Sequence, residues 1–158
     1  MDVRDIMNDQ PTTVAPDDTV ATAVWLMDTH QVRNLFVVDD QRHLLGALSA
    51  YQLTKVVLPM AAASLGQARL HDLDFVNYDM DALQERLLGV RHRRVFDVME
   101  PRESIPTVHP DTPIVQGVLM LHRSGTRVAV VDDHNRLVGA ITYRKLMHLI
   151  HRDFLEHA

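Results

Sequence analysis

The chain contains two copies of one sequence unit. Residues 37–49 read VVDDQRHLLGALS and residues 130–142 read VVDDHNRLVGAIT, with identity at seven of thirteen positions and an offset of 93. Two further matches lie upstream: TVAPD at 13–17 with TVHPD at 107–111, and VRDIM at 3–7 with VFDVM at 95–99. Because a solenoid needs three or more stacked repeats, two copies predict a pair of similar units related by pseudo-two-fold symmetry.

Each copy predicts the same order of elements: a short strand, a helix, two strands and a second helix. Apolar residues recur at the i, i+3, i+4 and i+7 spacing of one helix face in both copies. These are Val20, Ala23, Val24 and Met27, and Ile114, Gly117, Val118 and Leu121. Two apolar runs around DDQR and DDHN then predict a β-hairpin, and helices are expected over about 50–58 and 143–156.

The repeat also predicts where the helices begin and where the two units and the linker between them lie in the chain. We expect Asp17 or Asp18 to cap the first helix, and Asp111 or Thr112 to cap its equivalent, with Pro113 in the first turn. The first unit is predicted over 1–56 and the second over 95–158. A linker over 57–94 lies between them and is partly helical around 81–89.

Composition narrows the functional class. Hydrophobic residues make up 46% of the 158 residues, and the absence of cysteine excludes disulfides and thiolate metal sites. The longest apolar run, 56–63, is shorter than the ~20 residues of a membrane helix, and no secretory signal is visible. The net charge of −5 gives no general attraction to nucleic acid. We therefore expect a cytoplasmic protein without membrane insertion or nucleic-acid binding.

The repeated motifs resemble those of the CBS domain family, and the pair resembles a Bateman module. The shared pattern is D-h-M near the start, T-V-x-P-D before the helix, and V-V-D-D-x-x-x-L-h-G-h-h-[ST] across the hairpin. The resemblance implies an α/β fold of two β-α-β-β-α units packed sheet to sheet. It also implies a regulatory role, often as a dimer, with an adenine nucleotide or related adenosyl ligand bound between the units.

The resemblance also implies binding residues. In the family, a Ser or Thr at the end of the hairpin reaches phosphate, and the N-terminus of the following helix suits an anion. A nearby strand contacts adenine through its backbone. The matching candidates are Ser49 and Thr142 for phosphate, and Thr13, Val14, Thr107 and Val108 for adenine. Helix capping and ordinary strand packing are the alternative roles for these residues.

The chain departs from the family pattern at the ribose-binding aspartate. Gln52 and Lys145 occupy that position in the two copies. Gln offers one acceptor oxygen, whereas Lys offers none and is suited to phosphate, with Arg144 beside it. Arg33 and Arg127 precede the central strands, where they either reach phosphate or lie on exposed surface. Phe36 stands where the family often has proline, and it fills either the cleft or the core.

Two functions remain open from the sequence. The first is a non-catalytic module that senses AMP, ADP, ATP or S-adenosylmethionine and controls a partner protein. The second is a ligand-free scaffold for dimerisation. The replacement of the ribose-binding aspartate by Gln52 and Lys145 favours this second function. No catalytic residue is predicted, because the repeats occupy most of the chain. No metal site is predicted either, because His148 and His151 have a spacing that can share a metal but no third ligand is evident. A homodimer is expected, with Trp25, Leu26, Leu119 and Met120 as candidates to cover its interface.

Overall fold

The protein is described by a computed structural model over residues 1–57 and 80–155. The first repeat folds in the predicted order of strand, helix, two strands and helix. Its elements are β1 (Thr13–Val14), α1 (Val20–His30), β2 (Asn34–Val38), β3 (Leu44–Ser49) and α2 (Ala50–Val57). The predicted helix end at Leu58 lies outside the described residues.

The second repeat has the same order of elements. It is preceded by α3 (Met80–Val90), which confirms the helix expected in the linker, and by α4 (Val95–Val98) and β4 (Glu100–Pro101). The repeat itself comprises β5 (Thr107–Val108), α5 (Ile114–Ser124), β6 (Arg127–Val131), β7 (Leu137–Thr142) and α6 (Tyr143–Ile150). A π-helical turn over His151–Leu155 replaces the α-helix that was expected to continue to residue 156.

Two sheets face each other across an apolar layer. One has the strand order β1-β2-β3-β4 and the other β5-β6-β7, with β1 and β5 parallel to their neighbours and the hairpins antiparallel. The shared layer contains equivalent residues of both repeats, among them Phe36, Val38, Leu44, Ala129, Val131 and Leu137. Val38 and Val131 are 8% and 4% exposed, as the pseudo-two-fold pair predicts.

The hairpin turns meet at the pseudo-two-fold axis. His43 forms an antiparallel bridge with Arg136, its counterpart in the second repeat. On either side, the amide of Leu44 donates to the carbonyl of Asn135 at 2.9 Å, and the amide of Leu137 donates to the carbonyl of Arg42 at 2.8 Å. These bonds are symmetric under the 93-residue offset, so the turns join the two units as well as closing the hairpins.

The leading segment of each repeat packs on the other repeat. Val3 and Ile6 are buried with the core of the second unit, and Asn8 bridges to Ala140 of β7. Val95 and Val98 are buried in the core of the first unit, and β4 pairs with β3. The repeated D-h-M motif therefore crosses between the units, so the core of each unit includes residues that lie outside its own β-α-β-β-α span.

Both predicted helix caps are wrong. Thr19 caps α1 by accepting from the amide of Thr22, because the Asp18 carboxylate is already bonded to the amide of Ala15. The cap position of α5 is Pro113, which has no side-chain acceptor, and the hydroxyl of Thr112 accepts from the amide of His109 instead. One position of the predicted helix faces is also exposed, since Val24 is 48% accessible.

Within the described ranges, no helix combines the length and apolar character needed to cross a lipid bilayer. The apolar run at 56–63 falls mostly outside those ranges.

Candidate functional site

A cleft of about 1290 Å³ lies between the two units. Within residues 31–51 and 124–144, seven pairs of lining residues are equivalent under the 93-residue offset, so the cleft has two related halves. The Ser49 half contains Gln31, Val32, Arg33, Asn34, Ser49, Ala50 and Tyr51, and the Thr142 half contains Ser124, Gly125, Thr126, Arg127, Thr142, Tyr143 and Arg144. Arg123, Lys145 and His148 extend the Thr142 half.

Ser49 and Thr142 both cap the helices that follow them. The hydroxyl of Ser49 accepts from the amide of Gln52 at 3.0 Å, and the hydroxyl of Thr142 accepts from the amide of Lys145 at 3.3 Å. A hydroxyl is also a donor, and capping uses only its acceptor side. Both residues therefore fill the capping role and keep a proton to donate to a group in the cleft.

The cleft brings together four of the nine residues expected at the site: Ser49, Thr142, Arg144 and Lys145. Gln52 is half-buried and does not line the cleft. The other four occupy the short strands β1 and β5, and Val14 and Val108 point into the two cores. Thr12 and Pro106, the residues just before these strands, line the cleft in their place.

Thr13 and Thr107 lie beside the cleft without lining it. Thr13 is paired with Phe36 and Thr107 with Ala129 in the parallel strand ladders. The hydroxyl of Thr107 accepts from Nη2 of Arg102 at 3.5 Å. Phe36 is 3% exposed in the layer between the sheets and also forms part of the cleft wall, so it takes both of its expected roles.

Arg127 is a buried cation on the cleft wall, and the expectation of an exposed surface residue is wrong. It is the first residue of β6 and only 5% exposed. Its Nη2 lies 2.6 Å from Oε2 of Glu100, and its Nη1 donates to Oδ1 of Asn34 at 3.0 Å. Arg33, the other candidate, is exposed and lines the Ser49 half.

The sequence did not predict Glu100, the carboxylate that pairs with Arg127 in the cleft. Glu100 lies on β4, which reaches the cleft because the leading segment of the second repeat packs on the first sheet. Its only signal in the sequence was its place next to Met99 of the repeated D-h-M motif. The Nε of Arg127 is buried and makes no hydrogen bond to any described residue.

The family model of the CBS domain matches residues 3–59 and 95–152. Among curated proteins, inosine-5'-monophosphate dehydrogenase of Methanocaldococcus jannaschii is 26% identical over 135 residues. These residues make up 85% of this chain but 21% of that enzyme, so the chain spans about a fifth of the curated relative's length.

Solved structures of CBS pairs share the fold. CBSX2 of Arabidopsis thaliana is 23% identical with a TM-score of 0.72, over 96% of this chain and 94% of that one. CBSX2 has also been solved in complex with AMP, at 22% identity and a TM-score of 0.69 over 96% of both chains. The CBS pair of protein MJ0100, in complex with 5'-methylthioadenosine and S-adenosyl-L-methionine, is 20% identical with a TM-score of 0.64, covering 95% of this chain and 99% of that one.

Proposed function

The chain belongs to the CBS domain family, and we propose that it is a non-catalytic regulatory module that binds an adenine nucleotide or related adenosyl ligand. The inter-unit cleft is the proposed binding site, and ligand binding there controls a partner protein. The observation that carries the proposal is a cleft of about 1290 Å³ in which the hydroxyls of Ser49 and Thr142 flank a buried arginine. Binding sites of this kind are concave, largely apolar and supplied with a few placed polar groups.

The named ligands of the related structures support the choice of ligand class. One relative is described with AMP, and another with 5'-methylthioadenosine and S-adenosyl-L-methionine. AMP, ADP, ATP and S-adenosylmethionine are therefore the first ligands to test. The dehydrogenase activity of the curated relative is not transferred, because the chain spans only 21% of that enzyme.

Calorimetric titration and thermal denaturation test the binding proposal. A ligand at about 100 times its Kd stabilises the folded state by about 2.7 kcal/mol, which raises the Tm by several degrees. Ser104 is an exposed residue of the cleft wall, and Ser104→Trp is expected to weaken binding by filling space. Thr54→Trp, on the exposed side of α2 and outside the cleft lining, is the matched control and is expected to bind normally.

The second candidate is a dimerisation scaffold that works without ligand. Its support is that Glu100 and Arg127 form an ion pair with each other inside the cleft, while Gln52 and Lys145 replace the ribose-binding carboxylates. No heat and no change in Tm with any of the four ligands at millimolar concentration would favour this scaffold over the sensor.

Assembly and location complete the proposal. We place the protein in the cytoplasm and expect a homodimer formed through α1 and α5. Trp25 and Leu119 are 61% and 46% exposed on these helices. Leu26 and Met120, the other interface candidates, pack partly against the cores of their own units.

A further inference from the structure

Positive charge is distributed unequally between the two halves of the cleft. The Thr142 half carries Arg123, Arg144 and Lys145, and all three line the cleft. The equivalent positions of the first repeat, 93 residues earlier, are His30, Tyr51 and Gln52. Arg33 is the arginine on the Ser49 side, and its counterpart is Thr126. The asymmetry therefore comes from divergence of the two repeats.

The helix that follows Ser49, α2, carries one lysine, and its side chain lies outside the cleft. Lys55, equivalent to His148, does not line the cleft, and its Nζ lies 4.7 Å from the centre of the Tyr51 ring. The Ser49 half therefore presents mainly neutral polar groups to the cleft, whereas the Thr142 half presents several cations.

The three cations of the Thr142 half are not neutralised by neighbouring carboxylates. Within residues 1–57 and 80–155, no ion pair within 4.0 Å joins Arg123, Arg144 or Lys145 to an acidic side chain. Among the described lining residues the single carboxylate is Glu100, and it is paired with Arg127. This concentration of positive charge contrasts with the net charge of −5 for the whole chain.

Two further donors raise the positive potential at this half. The hydroxyl proton of Thr142 is available because its capping bond uses the oxygen as acceptor. The Nε–H of Arg127 is buried without an acceptor among the described residues. Fixed donors and cations in a partly enclosed cleft attract anions more strongly than the same groups do in bulk water.

We propose that the Thr142 half is a subsite for a chain of two or three phosphates, bound by Arg123, Arg144 and Lys145. The inference rests on the proposed function and narrows its ligand to adenosine di- or triphosphate. S-Adenosylmethionine is disfavoured, because its sulfonium cation would enter a cleft that is already positively charged. The Ser49 half, with Tyr51 and Gln52 at the equivalent positions, lacks this subsite.

Isothermal titration in magnesium-free buffer at fixed ionic strength tests the subsite. The ligands are ATP, ADP, AMP, adenosine, S-adenosylmethionine and inorganic tripolyphosphate. A charge-assisted hydrogen bond contributes enough for about a tenfold change in affinity, so each added phosphate is expected to tighten binding by about that factor. Tripolyphosphate alone is expected to bind and to compete with ATP, and added salt is expected to weaken both complexes.

Substitution by the residue of the other repeat provides a matched pair of variants. Lys145→Gln gives the Thr142 half the residue found at position 52, and it is expected to weaken ATP about tenfold without changing adenosine. Lys55→His gives α2 the residue found at position 148, and it is expected to change ATP affinity less than twofold, because Lys55 does not line the cleft. Both positions lie outside the buried core, and the Tm of each variant reports whether folding is preserved.

The possible results separate the two proposals. Equal affinity for ATP and adenosine, tighter binding of S-adenosylmethionine than of ATP, or equal losses of ATP affinity from Lys145→Gln and Lys55→His would overturn the polyphosphate subsite and leave adenosyl binding standing. Binding of tripolyphosphate without any adenosyl ligand would overturn the proposed function and keep the anion subsite. Absence of binding by all six compounds would overturn both.

Discussion

Arg127 donates a hydrogen bond from Nη1 to Oδ1 of Asn34 at 3.0 Å, and the two residues occupy equivalent positions in the two repeats. Each begins the central strand of its hairpin, opposite Ser49 or Thr142 in the ladder. Two arginines meeting at this place would repel each other, and two asparagines would leave Glu100 without a cation. Divergence of the two repeats at this position therefore allows Arg127 and Asn34 to form a hydrogen bond, which two identical residues would not form in the same way.

The first prediction concerns the buried ion pair. Glu100→Gln leaves the Arg127 guanidinium buried without a counter-charge. Loss of one partner of a buried pair costs about 3–5 kcal/mol. Since the Glu100 side chain is 31% exposed, we expect a smaller loss of about 2 kcal/mol in the free energy of unfolding, measured by urea denaturation.

A surface ion pair supplies the control for this prediction. Arg94 and Asp97 are 3.5 Å apart, with side chains 53% and 50% exposed. Asp97→Asn is expected to cost less than about 1 kcal/mol, as exposed pairs usually do. Equal effects of Glu100→Gln and Asp97→Asn would show that burial does not set the strength of the Arg127 pair.

The second prediction concerns the glycines against which the leading segments pack. A Cβ at Gly46 would collide with the backbone carbonyl of Glu100 and lie 2.9 Å from Sδ of Met99. A Cβ at Gly139 would lie 2.6 Å from Sδ of Met7 and 3.0 Å from the carbonyl of Asn8. We expect Gly46→Ala to cost about 3 kcal/mol and Gly139→Ala about 1–2 kcal/mol, because a thioether moves more easily than backbone.

Gly89 is the matched control for these substitutions. It lies in α3, and a Cβ there would meet nothing within 4 Å. Gly89→Ala is expected to leave stability unchanged or to raise it by up to about 1 kcal/mol, since alanine has the higher helix propensity. If Gly46→Ala were as harmless in urea denaturation, the close approach of β4 to β3 would not constrain that position.

The repeat predicted the fold more fully than it predicted the site. Apolar periodicity and the hairpin residues report local structure, so the order of elements and the equivalent burial of Val38 and Val131 follow from them. Glu100 reaches the cleft only because the leading segments cross between units, and no local pattern shows on which unit such a segment packs. The same holds for Arg127, whose partners are 27 and 93 residues away in sequence.

The predictions of the helix caps were wrong for a different reason from those of the site. Several Asp and Thr residues stand next to one another before each helix, and any of them satisfies the capping preference. Competition for backbone amides decides among them, as when Asp18 bonds to Ala15 and leaves Thr19 to cap α1. Composition alone does not resolve that competition.

The third prediction is a pH dependence located in the hairpin turns. The backbone amide of Arg136 contributes most to lowering the pKa of Asp132, and the His134 amide and the Arg136 guanidinium add to it. At Asp39, partial shielding from water raises the pKa, but hydrogen bonds from His43 and Gln41 outweigh it, so the pKa is lowered overall. A lowered folded-state pKa stabilises the protein above the unfolded-state pKa, and that stabilisation is lost as pH falls through the folded-state value.

The measurement is urea denaturation between pH 7 and pH 3. Asp132→Asn is expected to be less stable than the native chain at pH 7, with a difference that shrinks as pH falls below about 4. Asp39→Asn is expected to behave in the same way. A constant difference for Asp132→Asn would contradict the role of its charge.

The fourth prediction tests the proposed homodimer. Trp25 is 61% exposed on α1, and an aromatic side chain of this size gains most from burial at an interface. Light scattering at micromolar concentration is expected to give twice the chain mass of 18.0 kDa, and Trp25→Asp is expected to give the mass of one chain.

Leu87→Asp on α3, at a position 50% exposed, is the control for adding an acid to an exposed apolar site and should remain dimeric. A mass near 18.0 kDa for the native chain would rule out the dimer, and a dimeric Trp25→Asp would place its interface away from α1.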